Sequence, residues 1–422
     1  MIELLYGKKT LPFNEEKAAV IRSKMTKLNT NASGAQIVRK AMAHPIGSQR
    51  LCEMARGKKT CTIIISDHTR PVPSRDIIPS MLMELREGAP NIEITLLVAT
   101  GCHRGTTAEE LREKLGEELC AKEEIVVHDC TDVTANVRIG VLPSGAPLVI
   151  NRLAAETELL VAEGLIEPHF FAGFSGGRKS VLPGVCARAT VLGNHCSEFI
   201  DSKYARAGRL DGNPIQKDMI AACRVARLKY IVNVVIDNHK RTVKAFAGDP
   251  ERAHAKGCGF LSEYCVVLPV YGEIVITTNG GAPLDQNVYQ CVKGLTTAEA
   301  TASEGAVIIM CAECSDGVGG DEFYRFLAEC ETVGQLYQNI MATPQQETVQ
   351  DQWQAQVLAR ILGKHTVIFV TRRELKVQIE DMKMIYAGSL EEALRKAKKI
   401  KGSGARVTVI PDGISVVIGN CR

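Results

Sequence analysis

The sequence predicts an α/β protein: two α/β domains with mainly parallel sheets and an active-site crevice between them. Three observations lead there. Continuous β-branched runs such as Thr60-Cys-Thr-Ile-Ile-Ile-Ser66 suit strands buried on both faces of a parallel sheet. These runs alternate with helical stretches along almost the whole chain, and the loops between them are polar and bear glycine or proline. Near residue 266 the alternation pauses at Val266-Val-Leu-Pro-Val-Tyr-Gly272 and restarts, which divides the chain into an N-terminal domain, 1–265, and a C-terminal domain, 266–403.

In chain order, Met1-Ile-Glu-Leu-Leu-Tyr-Gly-Lys-Lys9 reads as a first strand. The strand at 60–66 runs into Asp67-His-Thr-Arg-Pro-Val-Pro73 and a helix over 74–87. A strand over 92–99 ends in Thr100-Gly-Cys-His-Arg-Gly-Thr106, where Thr106 or Thr107 can cap a helix over 108–115. Ligands of open α/β sheets bind beyond the carboxyl ends of the strands, which places His68, Arg70, His103 and Arg104 along one crevice. A strand at 125–128, a hairpin over 138–150 turning at Pro143-Ser-Gly145 and a short strand at 159–162 follow. A helix over 214–226 opens with proline, as first turns tolerate, then strands 230–236 and 242–247 pair around Asp237-Asn-His-Lys240, and 250–264 is helical. The second domain has strands at 273–277, 306–310 and 366–370 and helices at 287–300, 321–341 and 349–362. A strand at 384–386, a helix at 390–399 and a strand at 406–410 close the pattern. Periodicity leaves open whether the last stretch, about 404–422, rejoins the first domain.

Net charge is +3 over 422 residues, with Lys and Arg interspersed among Asp and Glu. A nucleic-acid partner would need a concentrated basic face, so none is expected. No apolar run reaches the roughly 18 residues of a bilayer span, and the N-terminus lacks a basic segment followed by an apolar export signal. The expectation is a cytoplasmic protein with no membrane partner. Fifteen cysteines lie largely within elements and read as reduced, small hydrophobes. Cys311-Ala-Glu-Cys314 is the one CxxC and reads as structural.

The densest chemistry lies in Glu167-Pro-His-Phe-Phe-Ala-Gly-Phe-Ser-Gly-Gly-Arg-Lys-Ser180, with His195 beyond it. It departs from the phosphate loop GxxxxGK[ST], because Arg178 stands between glycine and lysine. Gly176, Gly177 and Arg178 can still form an anion nest. Lys179 is either a phosphate-neutralising surface group or a nucleophilic amine joined covalently to a cofactor. His169, His195 and His103 are three candidates for one crevice: two could move protons on opposite faces of a substrate while a third ligates metal. His128, His239, His254 and His365 have no companion motif and read as structural. Arg70 is suited to clamping a carboxylate or phosphate. On the 287–300 helix, Gln290 and Lys293 share a face with Tyr289 beside them.

Together, Ser66-Asp-His-Thr-Arg-Pro71, Thr100-Gly-Cys-His-Arg104, His169 through Lys179, His195 and Tyr289-Gln-x-x-Lys293 resemble the nickel-pincer lactate racemase family, in order, from about residue 60 to Trp353. The resemblance implies racemisation or epimerisation of a small-molecule 2-hydroxy acid, lactate or a relative. The implied cofactor is a nickel-pincer nucleotide, pyridinium-3-thioamide-5-thiocarboxylic acid mononucleotide with nickel, which accepts and returns the substrate's Cα hydride. By that likeness Lys179 carries the cofactor in thioamide linkage, His195 ligates nickel, and His103 and His169 are the acid/base pair. Arg70, Gln290 and Lys293 would hold substrate or cofactor anions, Tyr289 and Trp353 would support them, and Asp67 would hydrogen-bond within the site. Cofactor-synthesis proteins are implied as transient partners; made without them, the chain would be inactive apoprotein. Two other readings stay open on the residues alone: a non-catalytic carrier of a nucleotide-like cofactor, and a pyridoxal-phosphate enzyme using Lys179 as Schiff base.

Overall fold

A computed structural model describes residues 1–422 except 15, 16, 238 and 420–422. Asn238 of the expected turn at 237–240 and the last three positions of the 404–422 stretch thus lie outside the described residues. Two six-stranded sheets form the framework. The first has the order Thr242–Gly248, Leu228–Ile236, Leu159–Leu165, Thr60–Ser66, Glu93–Ala99, Glu124–Val127. Only its first pair is antiparallel. The hydrophobic run of Thr60–Ser66 is central, and Ile63, Ile64 and Ile65 are fully buried, as expected for a strand covered by helices on both faces.

The second sheet, parallel throughout, has the order Ile385–Ala387, Thr366–Val370, Ala302–Cys311, Gly272–Thr278, Val407–Ile410, Ala19–Val20. Val407–Ile410, the strand whose sheet the sequence left open, therefore lies beside Gly272–Thr278 in the second sheet. Instead it is the N-terminal segment that crosses over. The single first strand read from the sequence is a hairpin, Ile2–Tyr6 with Lys9–Phe13, turning at Gly7 with φ of 54°. Its Leu4 and Phe13 pack against Ile274 and Ile276 of the second sheet.

Side-chain caps set the start of several helices. Thr107 accepts from the Glu110 amide at 3.3 Å while Glu110 reaches back to the Thr107 amide, a capping box that fixes Ala108–Leu115. The helix expected over 321–341 is two, Asp321–Ala328 and Val333–Ala342. Thr332 breaks it by accepting from the Gln335 amide, which favours a new N-terminus over a continuous turn. Helix Gln352–Leu362 spans the domains, and Gln356 Nε2 donates to the Ser197 carbonyl at 2.8 Å. That docking brings the first turn of one domain's helix over the loops of the other.

Candidate active site

The loops beyond the carboxyl ends of the first sheet and the helices of the second domain enclose a cavity of about 210 Å³. Asp67, Arg70 and His103 enter from the loops after Thr60–Ser66 and Glu93–Ala99; His169, Gly176, Lys179 and His195 come from the segment after Leu159–Leu165. Tyr289, Gln290, Lys293 and Trp353 form the roof. Arg70, Val72, Leu165 and Glu167 also wall a wider crevice of about 790 Å³ between the domains. His68 lines that crevice rather than the cavity, with its Nδ1 3.1 Å from Thr106 Oγ1. Arg104 turns outward to Glu110.

Asp67 is buried and lies 2.7 Å from Nδ1 of His103 through Oδ2. Its other oxygen accepts from the amide and hydroxyl of Thr69. Burial alone would raise this carboxyl, but the hydrogen bond from His103, the charges of His103 and Arg70 and the bond from Thr69 outweigh it and bring it to about 2. An ionised Asp67 requires the proton on Nδ1 of His103, so Nε2 is left as the basic nitrogen.

His169 has the reverse arrangement. The Ala172 amide donates to its Nδ1 at 3.3 Å. A neutral ring then carries its proton on Nε2, which lies 3.4 Å from Nζ of Lys179. Burial first, then Lys179, Lys293 and Arg70, hold His169 well below the usual histidine range. Burial first, then Arg178, Arg70 and Lys293, hold Lys179 well below the usual lysine range. Each group therefore disfavours a charge on the other, which holds Lys179 toward the neutral amine that acts as a nucleophile.

Lys179 sits on a 3₁₀ turn, Gly177–Ser180. Gly176 (φ 77°) and Gly177 (φ 54°) make this turn possible. A Cβ on Gly176 would stand 2.9 Å from the Leu165 carbonyl oxygen, and one on Gly177 would meet the His254 ring at 2.7 Å. Asn233 accepts from the Gly177 amide at 2.7 Å, so one nest donor is already used. Arg178 departs from the anion contact expected of it. It is buried, and Nη2 donates to the Ala172 carbonyl at 2.6 Å and Nη1 to that of Gly176 at 3.2 Å, against His254. With its donors turned inward, Arg178 braces the loop, and neither it nor Gly177 lines the cavity.

His195 follows helix Arg188–Asn194 and donates Nδ1–H to the Val191 carbonyl at 3.0 Å. Burial, then Lys179, lowers it to about 3 against the pull of that bond. The ring is neutral with its Nε2 lone pair uncommitted, the form that ligates metal. Its ring meets Trp353 edge-on at 5.1 Å and Phe171 at 5.1 Å, which holds the imidazole between the two domains.

In the roof, Asn287 caps helix Val288–Glu299. One turn in, Lys293 Nζ donates to Gln290 Oε1 at 2.7 Å. Burial, then Arg70, lowers Lys293 to about 8. Tyr289 is raised by burial and by Asp351, to which it is hydrogen-bonded. Arg70 and Lys293 thus face a cavity that Asp67, Glu163, Glu167 and Asp351 also line, and their donors are suited to a carboxylate ligand.

Sequence reading missed Asp351 and Glu163, which both line the cavity. Asp351, at φ 66°, stands just before the helix that carries Trp353. Glu163 could have been found, because it is a lone charge inside the apolar run Leu159–Leu165. One of its oxygens accepts from Ser66 and Ser74; the other has no partner.

Comparison with known proteins adds the remaining observation. Residues 6–208 match the model of the lactate racemase N-terminal domain, and residues 267–418 that of the lactate racemase C-terminal domain. The chain belongs to the lactate racemase family. A lactate racemase of Thermoanaerobacterium thermosaccharolyticum is 50% identical over 420 residues, 99% of each chain, and that of Lactiplantibacillus plantarum 49% over the same span. The solved lactate racemase apoprotein from the former organism superposes with a TM-score of 0.96, covering 99% of this chain and 100% of that one. A Thermotoga maritima protein, 18% identical with a TM-score of 0.68, shares the fold. As a member of the lactate racemase family the chain is an isomerase, which sets aside the carrier reading.

Proposed function

We propose that the chain interconverts the two hands of lactate or a closely related 2-hydroxy acid, using a nickel-pincer nucleotide held covalently on Lys179. The observation that carries this reading is the meeting, in one cavity, of a buried lysine amine held below its usual range with a histidine, His195, whose Nε2 lone pair is free. Among the described residues no three His, Cys, Asp or Glu are grouped to hold a metal ion, which suits a metal that arrives with most of its ligands. These features fit the group that the family resemblance implies. When bound, it supplies a hydride acceptor for the Cα–H, which is too weakly acidic beside a carboxylate to be removed as a proton.

The chain's own residues do the rest. Arg70 and Lys293 hold the substrate carboxylate, and Gln290 orients Lys293. His103, with Nε2 basic because Asp67 holds its other proton, takes the hydroxyl proton of one enantiomer. His169, which carries its proton on Nε2, returns one to the oxygen as the other enantiomer forms. Trp353, Phe170 and Phe171 exclude water. Proteins that build the cofactor are the expected transient partners. No helix among the described residues is long and apolar enough to cross a membrane, and free thiols throughout the described chain support a cytoplasmic setting.

The test combines intact-mass measurement, nickel analysis and chiral separation of product from single enantiomers. An adduct on Lys179, stoichiometric nickel and racemisation of lactate are expected. His195→Ala should keep the adduct and lose nickel. A Schiff-base chromophore on Lys179 without nickel would overturn the assignment in favour of pyridoxal phosphate.

A further inference from the structure

Two loops that leave neighbouring strands at the cavity floor each carry a cysteine. Strands Glu93–Ala99 and Glu124–Val127 pair in parallel with Val98 opposite Val127, so their chains leave the sheet side by side at roughly 4.8 Å. Cys102 follows the first and Cys130 the second. The loops are tied together: the His128 amide donates to the Val98 carbonyl at 3.1 Å, and Thr100 Oγ1 donates to the His128 carbonyl at 2.7 Å. Within this frame the Cys102 thiol is hydrogen-bonded to Cys130, and the Arg188 side chain is hydrogen-bonded to Cys130 as well. The Arg188 amide donates to the Cys130 carbonyl at 2.9 Å, which ties the two segments together. Cys102 is half-buried and lines the cavity next to His103; Cys130 is 8% exposed. Their neighbour Cys186 is fully buried, with its Sγ committed to the Val181 carbonyl at 3.1 Å.

A thiolate is the reactive form of cysteine, and a cation beside it favours that form. Here the hydrogen bond from Cys102, opposed by burial and aided by Arg188, lowers the Cys130 thiol. With the guanidinium of Arg188 beside it, Cys130 is the sulfur placed to be the nucleophile. This constellation matches that of oxidation-sensitive dithiols, in which a low-pKa thiol has a resolving cysteine at hand.

We propose that Cys102 and Cys130 form a peroxide-sensitive dithiol, and that its closure to a disulfide stops turnover by displacing His103. Hydrogen peroxide is the oxidant. The Cys130 thiolate attacks one peroxide oxygen, the O–O bond breaks, and the departing hydroxide takes a proton from solvent and leaves as water. Cys130 is now a sulfenic acid. The Cys102 sulfur attacks it, and the displaced hydroxide takes the Cys102 proton as a second water. Two sulfurs lose two electrons in all and peroxide gains them. The new bond draws residue 102 toward 130, and His103, its chain neighbour, moves off the 2.7 Å contact with Asp67. The inhibitory arm rests on the role given to His103 above; the disulfide itself does not.

The experiment exposes purified protein, with and without loaded cofactor, to hydrogen peroxide, then alkylates the remaining thiols and maps peptides by mass spectrometry. A peptide cross-linked through Cys102 and Cys130, lighter by two hydrogens, is expected in both forms. In the loaded form racemisation should fall about tenfold or more, within the range of a lost general base, and dithiothreitol should restore it. Cys130→Ser should show no cross-link, and no part of any peroxide damage should then be reversed by dithiothreitol. Full alkylation of both cysteines after peroxide, or a bridge to another cysteine, would overturn the proposal. A Cys102–Cys130 bridge that leaves turnover unchanged would overturn control through His103. Because the bridge is read by mass in cofactor-free protein, its absence is distinct from a failure of the racemase reading.

Discussion

Asp67 and His103 are joined by a 2.7 Å hydrogen bond between a buried carboxylate and a half-exposed ring, and this bond decides which nitrogen of His103 faces the cavity. Asp67→Asn keeps the shape and removes the charge that selects the tautomer. Turnover should fall about 100-fold or more, in the range expected for a disabled general base, with a smaller change in KM, measured by chiral separation of product. Because the carboxyl is lowered from 3.8 to about 2, its stabilising contribution is complete above 3.8 and is lost as pH falls through about 2. Chemical denaturation should therefore show wild type losing more stability than Asp67→Asn across this acid range.

Lys179 and His169 share one proton-poor contact, so changing one retunes the other. Once protonated, Lys179 repels a second proton from the ring 3.4 Å away. Lys179→Met should abolish cofactor attachment, read by intact mass. It should also raise the titration of His169 toward the ordinary histidine range, read by NMR of the ring in cofactor-free protein. An unchanged His169 titration would show that burial, Lys293 and Arg70 set it without Lys179.

Lys293 at about 8 predicts an alkaline limb. Below that pH it is an ammonium that can pair with a carboxylate, and above it a neutral amine. The logarithm of kcat/KM should bend downward near pH 8, with the change carried mainly by KM. Lys293→Met should raise KM by about ten- to a hundredfold, consistent with roughly 1.5–3 kcal/mol for a charge-assisted hydrogen bond, and should remove that limb.

Arg178 braces the loop rather than binding an anion, so its loss should be felt in folding. Arg178→Leu leaves the carbonyls of Ala172 and Gly176 without their donors. A loss of about 2–4 kcal/mol in stability is expected from those unpaired groups, measured by urea denaturation. An anion-binding role would instead leave stability intact and weaken cofactor retention.

The fold was largely legible because buried parallel strands are continuous apolar runs, as in Thr60–Ser66 and Thr366–Val370. Helix starts were legible where a cap residue stood in place, as at Thr107 and Asn287. Thr332 was harder, because a threonine inside an amphipathic stretch is compatible with one helix or two. Membership of Ala19–Val20 in the second sheet has no local signature, since a two-residue edge strand is defined by its partner. In the site, His103, His169, His195 and Lys179 were visible as chemistry-bearing residues on loops after strands. Arg178 was visible too, but not its direction, because an arginine beside glycines reads the same whether its donors face a ligand or the loop's own carbonyls. Asp351 carries no pattern at all; its place in the cavity comes from the docking of helix Gln352–Leu362.

The pairing of Ala19–Val20 with Val407–Ile410 also sets an order of events during synthesis. The early edge strand has no partner until a strand made almost a whole chain later emerges from the ribosome, whereas the sheet that carries Lys179 can assemble as soon as residue 248 is out. The floor of the cavity thus forms while its roof is still being translated.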